Sequence, residues 1–107
     1  SSDSMATRLL ADENNQFLYV LGIGNKHEYL VARMHLADLS LDLGFGSAGF
    51  SQLRHDTALI YGFAMDTQGG ILLSGSNGRM EYHIYRFTKD GHPDFNFGTN
   101  GVLIETE

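Results

Sequence analysis

Short apolar runs, each broken by Asn, Asp and Gly, fill the chain from residue 7 to residue 105. Aromatic and β-branched residues concentrate in these runs, as they do in pleated, half-buried strands. Strands are predicted over 7–11, 17–23, 28–36, 49–54, 58–65, 71–75, 81–88 and 102–105. The turns between them have mechanisms. Glu13-Asn14-Asn15, Gly24-Asn25, Gln68-Gly69-Gly70, Asn77-Gly78 and Lys89-Asp90-Gly91 supply residues that tolerate positive φ. Pro93 falls where no ladder hydrogen bond is needed. Phe17-Leu18-Tyr19-Val20-Leu21 and Ile71-Leu72-Leu73 do not alternate cleanly, which predicts burial on both faces. The run 58–65 also fits a short buried helix by periodicity, but closely spaced turns favour a strand.

The pattern is duplicated. Asp42 to Gly49 (DLGFGSAG) returns as Asp94 to Gly101 (DFNFGTNG). Upstream, Asp12 matches Asp66, Phe17 matches Ile71, Tyr29 matches Tyr82, Arg33 matches Arg86 and Asp38 matches Asp90. The spacing slips by one residue twice: inside the run 17–21, read as a bulge, and between Arg33 and Asp38, near a strand end. A fixed period of this length marks a modular array. Each copy is read as one strand after the F-G-x-x-G motif followed by three hairpin-linked strands. The chain then starts at the second strand of its first copy and ends on the first strand of an unfinished third. Identical chains completing one another's sheets into a ring would resolve that permutation; a fragment of a longer array would also produce it.

The segment Asp90-Gly91-His92-Pro93-Asp94-Phe95-Asn96-Phe97-Gly98-Thr99-Asn100-Gly101 resembles the hallmark of bacterial delta-60 repeats, a β-propeller family of unknown function. Asp66 to Gly75 is similar to that family's second and third strands, and Tyr85-Arg86-Phe87 to its fourth. The first copy departs at Leu39-Ser40-Leu41 and at Asn14-Asn15-Gln16, where the family pattern has glycine turns. The resemblance implies four-stranded blades around an axis and carries over no catalytic residue. The expected fold class is all-β, a β-propeller-type repeat with two four-stranded blades per chain and a ring completed by oligomerisation. In this reading residues 7–47 hold strands two to four of a first blade, and 48–99 hold a second blade. Residues 100–107 complete a blade of a neighbouring chain, and 1–6 are a tag or disordered terminus.

Composition narrows the function classes. A hydrophobic content of 42% fits a soluble globular domain, and no apolar run approaches the ~20 residues of a membrane helix. The first residues lack the features of a signal peptide, and localisation stays unassigned. A net charge of -6 argues against nucleic acid or an anionic membrane as partner. There is no cysteine, so disulfides and thiolate metal sites are excluded.

Candidate chemistry is sparse. Repeated carboxylates (Asp12 and Asp66, Asp38 and Asp90, Asp42 and Asp94) would form one cation or ligand site per module in a functional reading. Asp at turns, however, bonds its own backbone, and the repeated Arg33 and Arg86 tie strands together. The calcium-loop order with its closing Glu is missing. Gly22-Ile23-Gly24 is only a fragment of a dinucleotide fingerprint. His27, His35, His55, His83 and His92 share no equivalent positions and form no tight ligand pair. Gly75-Ser76-Asn77-Gly78 approaches a nucleophile elbow in letters but reads as a hairpin turn. Tyr19, Tyr29, Tyr61, Tyr82 and Tyr85 could line sugar clefts, although no Trp is present for stacking. The expectation is a non-enzymatic binding or structural scaffold with no catalytic, metal or cofactor residues. Its partners would be identical chains in a ring of three or four, with a small ligand, carbohydrate or protein partner as the alternative.

Overall fold

The runs predicted as strands form strands in the computed structural model, which describes residues 5–24, 28–53, 59–76 and 81–106. Eight are present among the described residues: β1 (Met5–Asp12), β2 (Phe17–Ile23), β3 (Tyr29–His35), β4 (Phe50–Leu53), β5 (Leu59–Met65), β6 (Ile71–Ser76), β7 (Glu81–Phe87) and β8 (Val102–Thr106). No helix occurs among the described residues, so the run ending at Met65 is a strand. The chain divides into two units, 1–54 and 55–107. Each is a four-stranded antiparallel meander, in the orders β1-β2-β3-β4 and β5-β6-β7-β8. Ala58, Asn25, Asn77 and Gly78 lie outside the described residues, as do the turns predicted there.

Three expectations need correction. β4 pairs with β3, not with the strands that follow it. Likewise β8 pairs with β7 of its own chain, Tyr82 facing Glu105 and Ile84 facing Leu103, so 102–106 completes its own unit. The reason is the F-G-x-x-G turn, which reverses the chain tightly enough to return the next strand onto the one before. The modules are therefore in phase, and the permutation disappears. β1 also begins at Met5, inside the segment read as a terminal tag.

The third correction concerns the first slip. β2 pairs without interruption from Phe17 to Ile23. Bulges lie instead between Ala6 and Arg8 and between Ile60 and Gly62, at matching places in both units. The ladders put Leu18 opposite Met34 and Ile71 opposite Phe87. Counting back from Arg33 and Arg86, Leu18 therefore corresponds to Ile71 and Phe17 to Gly70. The extra residue sits in the β1–β2 turn. A slip inside a strand would flip every later side chain to the other face, whereas a turn absorbs it.

Opposed residues in a ladder share a face, and the two units bury different faces. In unit 1 the buried face carries Tyr19, Leu21, Val31 and Ser51. In unit 2 it is the opposite face, with Leu73, His83, Tyr85 and Phe87.

The F-G-x-x-G turns are near copies. Phe45 N–H donates to the Asp42 carbonyl at 3.2 Å and Gly49 N–H to the Phe45 carbonyl at 2.9 Å. Their counterparts, Phe97 to Asp94 and Gly101 to Phe97, measure 3.1 and 2.9 Å. Gly46 and Gly98 take φ of 57° and 59°, and a Cβ there would lie 2.2 and 2.3 Å from the backbone oxygens of Phe50 and Val102. Only glycine fits both the dihedral and the space.

Candidate functional site

The repeated polar residues converge where β3 and β7 run into these turns. In unit 2, Arg86 Nε donates to Asp66 Oδ2 at 2.8 Å and Nη1 to Asp94 Oδ2 at 2.6 Å. The other oxygen of each carboxylate is spent on the backbone. Asp66 Oδ1 accepts from the N–H groups of Gln68 and Gly70 at 3.0 and 2.8 Å. Asp94 Oδ1 accepts from Asn96 N–H at 3.1 Å. The hydrogen bond from Arg86 is the main cause that pulls the Asp66 carboxyl down to about 2, against burial, with help from the two turn N–H groups. Asp66 raises the Arg86 pKa in return.

Unit 1 builds half of this arrangement the same way. Arg33 Nε donates to Asp42 Oδ2 at 2.8 Å, and Asp42 Oδ1 accepts from Gly44 N–H at 3.1 Å. Burial would raise the Asp42 pKa, but the Gly44 N–H and Arg33 outweigh it, and the net shift is downward. The other half differs. The Arg33 guanidinium lies 4.1 Å from the Phe17 ring centroid and 4.9 Å from that of the fully buried Phe45, within cation–π range. Asp12 accepts instead from Asn15, through its backbone N–H at 3.3 Å and its side-chain amide at 2.9 Å.

The ladder explains the difference. Gly70 occupies the place of Phe17, and a Cβ on Gly70 would lie 2.2 Å from Arg86 Nη2. Without a side chain there, Arg86 reaches Asp66. With a phenyl ring there, Arg33 stacks. The remaining repeated carboxylate of unit 1, Asp38, accepts from Ser40 N–H at 3.0 Å and from its hydroxyl at 2.7 Å. These two bonds lead in lowering its pKa.

As a cation site the arrangement is already filled by the protein's own donors. Each of Asp12, Asp42, Asp66 and Asp94 uses both oxygens internally. Among the described residues no group of three or more His, Asp or Glu could hold a metal ion.

Unit 2 also brings together residues that the duplication did not reveal. His83 is buried, with Nδ1 3.1 Å from the Tyr85 hydroxyl and Nε2 3.3 Å from Glu81 Oε1. Burial pushes the Tyr85 phenol up to about 12. Glu81, His83 and Tyr85 share one face of β7, so the period-2 spacing E-x-H-x-Y was the available signal. His35 and His92 are exposed, and His27 and His55 lie outside the described residues. The repeat-matched tyrosines diverge: Tyr29 is 9% exposed and Tyr82 51%.

No family model, curated protein or solved structure matches the chain. No helix among the described residues is long and apolar enough to cross a membrane.

Proposed function

We propose that the chain is a non-enzymatic binding or structural scaffold assembled from sheet modules of β-propeller type. One observation carries this reading: the duplicated Asp12, Asp42, Asp66 and Asp94 each spend both carboxylate oxygens on the protein's own donors. A residue used this way in each module builds the module. Melting the protein in calcium and then in EDTA tests the reading. A scaffold shows one Tm in both, and a Tm that rises with calcium would overturn it.

A second reading, a small-ligand or carbohydrate-binding module, draws on Tyr61 and Tyr82, which unit 2 leaves exposed. Glycan-array binding abolished by Tyr82→Ala would favour that reading over a pure scaffold.

A further inference from the structure

The two units bury opposite faces of the same repeated sheet, and each leaves open the face that the other buries. In unit 1 the open face carries Leu9, Leu18, Val20, Leu30, Met34 and Phe50. Leu9 is 68% and Phe50 43% exposed, and every residue of that face paired in the ladders is uncharged. Its equivalents in unit 2 are buried: Leu73, at the position of Val20, is 0% exposed. In unit 2 the open face carries Leu59, Ala64, Leu72, Tyr82, Ile84 and Leu103, with Leu59 57% exposed, and Arg86 and Glu105 are the charged residues paired on it. Its equivalents in unit 1 are buried: Tyr19 stands at the place of Leu72, and Val31 at that of Ile84.

Both faces thus belong to a sheet whose sequence packs on either side, and one chain presents one open face of each kind. Large apolar side chains left open on a sheet face mark an interaction site. We propose that a second copy of this chain is the occupant, with the open face of unit 1 in one copy docking on the open face of unit 2 in the next. This rests on the scaffold reading and gives it an assembly rule. The contact is heterologous, because the two faces differ, and such contacts close into a ring where the rotation returns on itself. A ring of three or four chains obeys this rule.

The full chain tests this with Phe50→Lys, which charges the unit 1 face, and Leu59→Lys, which charges the unit 2 face. Leu9→Lys serves as a second unit 1 variant should Phe50→Lys fail to fold, as judged by circular dichroism. Light scattering is expected to show the unmodified chain as a multiple of its 11.8 kDa mass. Each variant alone should be monomeric. An equimolar mixture of a unit 1 variant with Leu59→Lys should form dimers and nothing larger, since one intact face remains on each partner. An unmodified chain that stays monomeric overturns the docking and leaves the scaffold reading standing. Variants that still associate singly overturn it too, because like-on-like faces or strand edges would then make the contact.

Discussion

Leu39 and Gly91 stand at the same place in the two units, each N–H closing a turn on the end of the preceding strand, and both take left-handed backbone, with φ of 61° and 89°. Leucine in that region costs about 1–2 kcal/mol. Replacing it by glycine gives back about 0.4–1 kcal/mol through the freer unfolded chain. The relief wins. Leu39→Gly is expected to stabilise by roughly 0.5–1 kcal/mol, and Gly91→Leu to destabilise. Urea midpoints at unchanged slope would measure both.

Gly46 and Gly98 combine positive φ with a backbone oxygen in the path of any Cβ. Gly46→Ala and Gly98→Ala should each cost more than about 2 kcal/mol, since backbone must move. Gly44→Ala is the control. Its Cβ would meet only Asp42 Oδ1 at 3.5 Å, and the loss should stay within about 0.5 kcal/mol. Equal losses at Gly44 and Gly98 would contradict the account of the turn.

Gly70→Ala should displace the Arg86 guanidinium from Asp66, because the new Cβ would lie 2.3 Å from Cζ and 2.4 Å from Nε. A double-mutant cycle of Gly70→Ala with Asp66→Asn is expected to show a coupling of at least about 0.5 kcal/mol. Arg86→Lys should not substitute for the arginine, because one ammonium cannot serve two carboxylates with the geometry of a planar fork. A Tm for Arg86→Lys equal to that of the unmodified chain would refute the two-carboxylate clamp.

Acid should expose the Asp66 contribution. Its folded value of about 2 lies below the ordinary 3.8, so the stabilisation is fully present above about pH 4. It fades as pH falls through 2. Asp66→Asn should lower stability at neutral pH and flatten the decline over that interval, as read from Tm against pH.

The alkaline limb has the opposite sign. Tyr85 is held neutral by burial, with a folded value of about 12 against 10.0 in the open chain. Stability is expected to fall from pH 10 toward pH 12, because the unfolded state ionises first. Tyr85→Phe should remove that slope while giving up the bond to the His83 ring. A slope that survives the substitution would assign it to another group.

Strand positions were legible because period-2 apolar runs and Asn/Asp/Gly turns agree locally, and the repeat confirmed them twice over. The partner of each strand was not. Nothing in Phe50–Leu53 or Val102–Thr106 says whether the strand turns back or continues forward; that is decided by left-handed residues in the F-G-x-x-G turn, including Ala48 and Asn100 at φ 53° and 56°. Letter matching also set Phe17 against Ile71, since both are apolar, whereas hydrogen-bond register sets Phe17 against Gly70. Repetition marked Arg33, Arg86 and the turn aspartates as builders of the module, but not that each arginine pairs with them. The His83 group was hidden, because it occurs in one copy alone.

Since β4 and β8 return onto β3 and β7, every ladder among the described residues is finished within a single half of the polypeptide. A gene can therefore gain or lose one whole half by unequal recombination without orphaning a strand. Such an architecture can change length over evolutionary time in discrete steps, and nascent chain leaving a ribosome can complete one sheet's hydrogen bonding before the next is made.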